Sequence, residues 1–177
     1  MIQRENFWSI KDSENQIRPV FKKKKYHKLK SWKFGWELLE PLNKASNDNS
    51  EIELSKKFSD GQKALYFWWY LDAQVTNGGF IQFYSNGFDK YLPAIISGLE
   101  TINDNDLIIL LKRADTLYEN NLRRFQEHLS NDDFGGLYES IPEFSDLDQQ
   151  YYKIHNNTMN KLEVYAKENS TEFVELI

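Results

Sequence analysis

The fold is decided by the stretch FSDGQKALYFWWYLDAQVTNGGFIQFYSNG, which runs from Phe58 to Gly87. Ser59 precedes Gln62 by three residues, which is the spacing of a capping box at the start of a helix. The apolar residues that follow recur at the spacing of one helix face: Ala64, Trp68, Leu71 and Val75. The stretch therefore predicts a central helix that buries an aromatic face.

The second half of this stretch, Thr76 to Gly87, is predicted to join two helices. Asn77 and Gly78 fall where the end of a helix favours left-handed backbone. One helical turn of apolar residues follows: Phe80, Ile81, Phe83 and Tyr84. Gly87 then provides a second stop. A β-hairpin or a phosphate-binding loop is disfavoured, because no strand flanks the stretch and no Gly-Lys-Ser/Thr sequence closes it.

Helical periodicity also dominates the rest of the chain. We expect helices at about Lys28–Leu39, from about Leu92 to Ile102, from a cap at Asn103 or Asp104 onward, from a cap at Ser145 with Asp148 three residues later, and at about Thr158–Lys167. Strand signals are scarce. The predicted fold is all-α, a single helical domain of about six to seven helices with an N-terminal basic extension.

Charge divides the chain into two parts. Residues 1–50 contain 11 Lys and Arg against 6 Asp and Glu, whereas residues 51–177 contain 11 against 21. The net charges are therefore +5 and −10. The stretch NKASNDNSE, Asn43–Glu51, is rich in residues that favour turns. We predict a basic N-terminal arm with one possible helix at 1–50 and a helical domain at 51–177.

Several function classes are disfavoured by composition. Cysteine is absent, which excludes disulfides and thiolate chemistry. No segment reaches the roughly 18 apolar residues of a membrane span, and no signal peptide is evident, so we expect a cytoplasmic protein. His27, His128 and His155 show no metal-ligand spacing and are interpreted as surface residues. We predict no catalytic residues, no metal and no cofactor.

Lysines and aromatic residues alternate in the basic arm, in FKKKKYHKLKSWKFGW, Phe21–Trp36. Such a segment suits contact with nucleic acid or with an anionic membrane surface. It also suits a solvated face that serves solubility. In a third interpretation the arm folds back and neutralises the acidic body.

The stretch QVTNGGFIQFYSNG, residues 74–87, resembles the bacterial DNA-mimic protein family. The resemblance continues through AIISGLETI at Ala94–Ile102 and DLDQQYY at Asp146–Tyr152, and it covers about Phe58–Leu176. The residues that match the family pattern are interpreted as structural: Asn77, Gly78, Gly79, Phe80, Gln82, Asn86 and Asp148. The resemblance implies a helical protein that can form a homodimer and whose carboxylates stand in for DNA phosphates.

Carboxylates at regular spacing would compete with DNA for the Lys and Arg side chains of a basic regulator or nuclease. We expect the acidic body itself not to bind nucleic acid. The candidate partner-binding carboxylates are Asp104, Asp106, Asp115, Glu119, Asp132, Asp133, Glu139, Glu143 and Asp146. Two alternatives remain: an immunity-type toxin inhibitor with the same acidic surface, and an enzyme or small-ligand binder with a pocket near Asn77–Gln82.

Overall fold

The computed structural model describes residue 4 and residues 7–44, 51–129 and 134–177. The α-helices of these ranges are α1 (Lys23–Lys28), α2 (Ser31–Lys44), α3 (Glu51–Ser55), α4 (Asp60–Ser85), α5 (Leu92–Thr101), α6 (Asn105–Asn120), α7 (Leu122–Leu129), α8 (Phe134–Ser140), α9 (Glu143–Glu168) and α10 (Ser170–Phe173). Short 3-10 helices lie at Phe7–Ser9 and Phe88–Tyr91. The strands are β1 (Val20–Phe21) and β2 (Glu175–Leu176).

The all-α class is confirmed. Six of the described helices have eight residues or more (α2, α4, α5, α6, α7 and α9), and α1, α3, α8 and α10 are shorter. None of the helices in the described ranges is both long and apolar enough to cross a membrane.

Helix α4 is the centre of the domain and packs against α5 and α9. The predicted capping box starts it: Ser59 Oγ accepts a hydrogen bond from the Gln62 amide (3.0 Å), and Gln62 Oε1 accepts one from the Ser59 amide (2.9 Å). Phe67, Trp68, Leu71 and Val75 are fully buried. Helix α6 covers α5 and α9 and completes the core.

Residues 7–44 share this core. Helix α2 packs on α9, and Phe7, Tyr26 and Phe34 are buried. Gln62 Nε2 donates to the carbonyls of Ile17 and Phe173 (2.8 and 3.1 Å), so it joins both ends of the chain to α4. The domain boundary near residue 50 falls outside the described residues and stays a prediction.

Two local features differ from the sequence prediction. The helix predicted at about Lys28–Leu39 corresponds to α2, which begins at Ser31 and continues to Lys44 with Pro41 inside it. Strands β1 and β2 pair in parallel, with Val20 opposite Glu175 and Phe21 opposite Leu176. Two-residue strands have no alternating pattern that a sequence could display.

Close packing of α4 on α5 depends on Gly98. A Cβ atom at this position would lie 2.6 Å from the Ala64 Cα atom, which belongs to the α4 backbone. We expect Gly98→Ala to lower the free energy of unfolding by about 1–3 kcal/mol, as overpacking does. Urea unfolding followed by circular dichroism measures the change.

The matched control is Gly135→Ala in α8, where a Cβ atom would meet nothing within 4 Å. Alanine is the better helix former by about 1 kcal/mol. We therefore expect this variant to be as stable as the parent or slightly more stable. Equal losses in the two variants would contradict the packing argument.

Candidate functional site

Helix α4 is sharply kinked at Gly78 and Gly79. Gly78 has φ −150° and ψ 25°, and Gly79 has φ 71° and ψ −175°. We expected left-handed backbone at Asn77 and Gly78; positive φ occurs instead at Gly79, and again at Gly87 (φ 69°). The joint is therefore one residue later than the sequence suggested. The segment from Phe80 to Ser85 begins with amide groups that have lost their partners in the preceding turn.

Asp148 of α9 caps this second segment. Its Oδ1 accepts a hydrogen bond from the Phe80 amide (2.8 Å), and its Oδ2 accepts one from the Tyr138 hydroxyl (2.7 Å). The same hydroxyl lies 3.1 Å from the Gly78 carbonyl oxygen. Burial raises the pKa of the Asp148 carboxyl, and these two hydrogen bonds oppose that shift. Asp148 thus joins α4, α8 and α9 at one point.

The prediction that Asp148 belongs to a cap of its own helix is wrong. Helix α9 begins at Glu143, before Ser145, and its N-cap is Pro142. The Asp148 carboxylate faces α4 instead. The interpretation of Asp148 as a structural residue of the family motif stays a prediction. Its contacts are made to residues distant in sequence.

A row of amide side chains lies along the outer face of the kink. Asn77 donates to Gln82 Oε1 (2.9 Å), and Gln82 and Asn86 both donate to Gln74 Oε1 (3.0 and 2.9 Å). Beside them is a cavity of about 380 Å³ lined by Gly78, Ile81, Gln82, Asn86, Gly135 and Tyr138. A concave surface therefore exists where the small-ligand alternative requires one. The amide side chains that line it, Gln82 and Asn86, are both hydrogen-bonded to the Gln74 side chain.

An unpredicted polar cluster lies between α4 and α9. The Asp72 carboxylate accepts a hydrogen bond from the Tyr151 hydroxyl (2.9 Å) and lies 2.9 Å from His155 Nδ1. Burial raises the pKa of Asp72, and its bonds to His155 and Tyr151 counteract this. His155 was interpreted as a surface residue, but only 16% of its side chain is exposed. A carboxylate within the apolar stripe of α4 is the signal that could have revealed the cluster.

The candidate carboxylates divide by exposure. Asp104 is 2% exposed; its carboxylate accepts from the Thr158 hydroxyl (2.6 Å) and binds Lys161 Nζ (2.8 Å). Asp115 is partly buried and binds Arg4 through two hydrogen bonds of 2.9 and 2.6 Å. Neither has a carboxylate free for a partner. The expectation that Asp104 is a surface contact is thus corrected, and its side chain does not cap α6 either.

Four candidates have exposed side chains: Asp106, Glu139, Glu143 and Asp146. Glu119 is half-buried. Asp132 and Asp133 lie outside the described residues. Glu139, Glu143 and Asp146, here named the acidic end, surround the turn between α8 and α9, where Phe144 is buried beneath them.

Asp106 does not belong to the acidic end. Helices α6 and α9 run antiparallel, because Asp104 contacts Lys161 and Arg113 contacts Gln150. Asp106 lines a groove with Arg113, Lys153 and Ile154. Ile154 is eight residues beyond Asp146 in α9, which corresponds to about 12 Å along the helix axis. Basic side chains therefore lie between Asp106 and the acidic end.

Comparison with known proteins identifies relatives of this chain. Residues 56–169 match the sequence profile of the family described as DMP19-like protein. The DNA mimic protein DMP19 of Neisseria meningitidis serogroup B is 26% identical over 121 residues, which cover 67% of this chain and 73% of that protein. The matched range contains the kink, Asp148 and the acidic end. The interpretation of Asn-Gly-Gly-Phe-x-Gln as the family motif stays a prediction.

The cap formed by Asp148 is expected to stabilise the fold. We expect Asp148→Ala to lower the free energy of unfolding by about 2 kcal/mol or more, because the buried Phe80 amide and Tyr138 hydroxyl lose their acceptor. Thermal and urea unfolding measure the loss.

Asp146→Ala provides the control, because Asp146 lies on the same helix and is exposed. Its removal is expected to change stability by about 0.5 kcal/mol at most. If Asp148→Ala were no worse than this control, the Asp148 carboxylate would not be the cap on which the kink depends.

Proposed function

Because the chain belongs to the family of DMP19-like proteins, we propose that it is a non-catalytic binding protein that occupies the DNA-binding surface of a basic protein. The relative in Neisseria meningitidis is a DNA mimic protein, which supports this mode of action. The proposed partner is a DNA-binding regulator or a nuclease in the cytoplasm. A homodimer is proposed as the working form.

The observation that supports this proposal best is the difference between compensated and free carboxylates. Asp104 and Asp115 form ion pairs within the chain. Within the described ranges, no Lys, Arg or His forms an ion pair with Glu139, Glu143 or Asp146. The acidic end therefore presents three exposed carboxylates without an ion pair in the described ranges. The nearest cation that the hydrogen bonds show is Arg124, which donates to the Ser140 carbonyl beside Glu139 (2.8 Å).

The position of these charges suits recognition by a DNA-binding protein. The acidic end lies at a turn between two helices, and α9 holds Glu143 and Asp146 in its first turn. The Lys and Arg side chains of such a protein normally contact phosphates. Here they would meet carboxylates, which are negatively charged as phosphates are, on a fixed backbone. Arginine pairs with carboxylate and phosphate through the same two parallel hydrogen bonds.

An immunity-type inhibitor of a basic toxin would use the same surface, so it differs from the main proposal only in the partner. The small-ligand alternative depends on the cavity beside Gln82 and Asn86. Among the described residues, none of those lining that cavity is charged, whereas a DNA mimic needs charge. The acidic end is therefore the surface that we assign to function.

Charge reversal at the acidic end tests the proposal. We expect Glu143→Lys with Asp146→Lys to weaken binding of the captured partner by about tenfold or more, because attraction is replaced by repulsion. The immobilised full chain is exposed to lysate of the source organism at about 50 mM salt, and the captured DNA-binding proteins are quantified. Glu100→Lys with Glu168→Lys is the control, because both residues are exposed elsewhere and the charge change is equal.

Competition with DNA distinguishes mimicry from ordinary protein binding. Duplex DNA carrying the partner's binding site should displace the partner from the chain, and binding should fall steeply between about 50 and 500 mM salt. A partner that stays bound at high salt, or that holds DNA and this chain together, would contradict the proposal. So would equal losses in the test and control variants.

A further inference from the structure

The N-terminal helices form a groove lined by lysines, so its charge is opposite to that of the acidic end. Its volume is about 680 Å³. The lysines that line it come from the residue before α1, from α1, from the turn after α1 and from the start of α2: Lys22, Lys24, Lys25, Lys28, Lys30 and Lys33. Leu29 and Glu37 complete the lining. We name this feature the lysine groove.

The positive charge of the lysine groove is largely uncompensated. Among the described residues, Glu37 is the carboxylate that lines the groove, and it binds Lys25 Nζ at 2.5 Å. Two further carboxylates lie near these lysines. Glu40 interacts electrostatically with Lys25 but binds Lys44 at 2.8 Å, and Glu163 of α9 binds Lys167 at 2.6 Å and accepts a hydrogen bond from the Ser31 amide. All six lysines are exposed. Mutual repulsion among their ammonium groups is relieved when an anion with several charges enters the groove.

The scaffold that holds these lysines is fixed to the core. Tyr26 of α1 is fully buried, and its hydroxyl donates to the Ala166 carbonyl of α9 (2.7 Å). The Lys23 amide donates to the Ile177 carbonyl at 2.8 Å. Leu29 and Phe34 are buried on either side of the turn between α1 and α2. The lysines thus line a concave surface of folded helices and share a defined geometry.

We propose that the lysine groove binds the phosphate backbone of single-stranded nucleic acid. The groove supplies several exposed cations around one concavity, and proteins that bind a single strand use a positively charged groove in this way. Trp36, which is 54% exposed, follows Lys33 by one helical turn and offers a ring on which a base can stack. Both features lie outside residues 56–169, which match the family profile.

An anionic membrane fits these observations less well. A helix that lies in a membrane interface needs an exposed apolar face. Helix α1 has six residues, and its apolar residue Tyr26 faces the core. The lysines surround a groove, which suits a strand that enters it better than a flat lipid surface.

The inference is independent of the proposed function. The acidic end and the lysine groove use different residues, so loss of one binding activity leaves the other measurable. Nucleic acid bound in the groove would not compete for the acidic end, where like charge repels it.

Fluorescence anisotropy with a labelled oligothymidylate of about 20 nucleotides tests the proposal on the full chain. The test variant is Lys22→Gln, Lys24→Gln and Lys28→Gln, which leaves the Lys25–Glu37 pair intact. We expect affinity at about 50 mM salt to fall by tenfold or more. The slope of log affinity against log salt should decrease by about 2, since each phosphate contact on a single strand contributes about 0.7.

The matched control is Lys90→Gln, Lys112→Gln and Lys153→Gln, which removes three exposed lysines elsewhere and changes net charge equally. It should retain affinity within about twofold, as expected for lysines that contact no phosphate. Trp36→Ala should weaken binding and leave the salt slope unchanged, because stacking releases no counterions.

Four results would overturn the inference. The first is no oligonucleotide binding at low salt. The second is equal loss in test and control triples, which would show an effect of net charge alone. The third is binding to phosphatidylserine vesicles without binding to the oligonucleotide, which would indicate a membrane site. The fourth is a dimer, seen by sedimentation, that the test triple dissociates while oligonucleotide affinity is unchanged; the acidic end of a second copy would then be the occupant.

Discussion

The hydrogen bond between the Asp148 carboxylate and the Phe80 amide is the contact on which the arrangement of the helices depends. The kink at Gly78 and Gly79 leaves the amide of the buried residue Phe80 without a partner in its own helix. A buried amide without an acceptor costs about 1–3 kcal/mol. Asp148 provides the acceptor from α9, and Tyr138 fixes the second oxygen from α8. The direction of α4 after the kink is therefore set together with the positions of α8 and α9.

This constraint connects the interior to the acidic end. Tyr138 is adjacent to Glu139 in α8, and Asp148 is two residues after Asp146 in α9. In each helix, one turn therefore places one side chain at the kink and another in solvent. A family-matched interior thus positions the carboxylates that we assign to function. The lysine groove is separate: its helices attach to α9 through Tyr26 and the Ala166 carbonyl.

Features that depend on local sequence could be predicted. The capping box of Ser59 and Gln62 and the helical stripes of α4, α5 and α6 are encoded within a few residues. Contacts between distant residues could not be predicted in this way. Asp148 and Phe80 are 68 residues apart, and His155 and Asp72 are 83 apart. For the same reason Asp104 resembled a helix cap or a surface charge in sequence, whereas Lys161 and Thr158 enclose it in the structure.

Arg4 has a consequence for any protein that approaches Asp115. Its guanidinium makes two hydrogen bonds to this carboxylate and also contacts Asp89 at 3.3 Å. An arginine from another molecule would need the same two oxygens. Arg4 thus competes within the chain for the Asp115 carboxylate. An incoming arginine can bind only those molecules in which Arg4 has dissociated, so its apparent affinity falls as the fraction with Arg4 bound rises. Asp115 is in this sense self-inhibited, whereas Glu139, Glu143 and Asp146 have no ion-pair partner among the described residues.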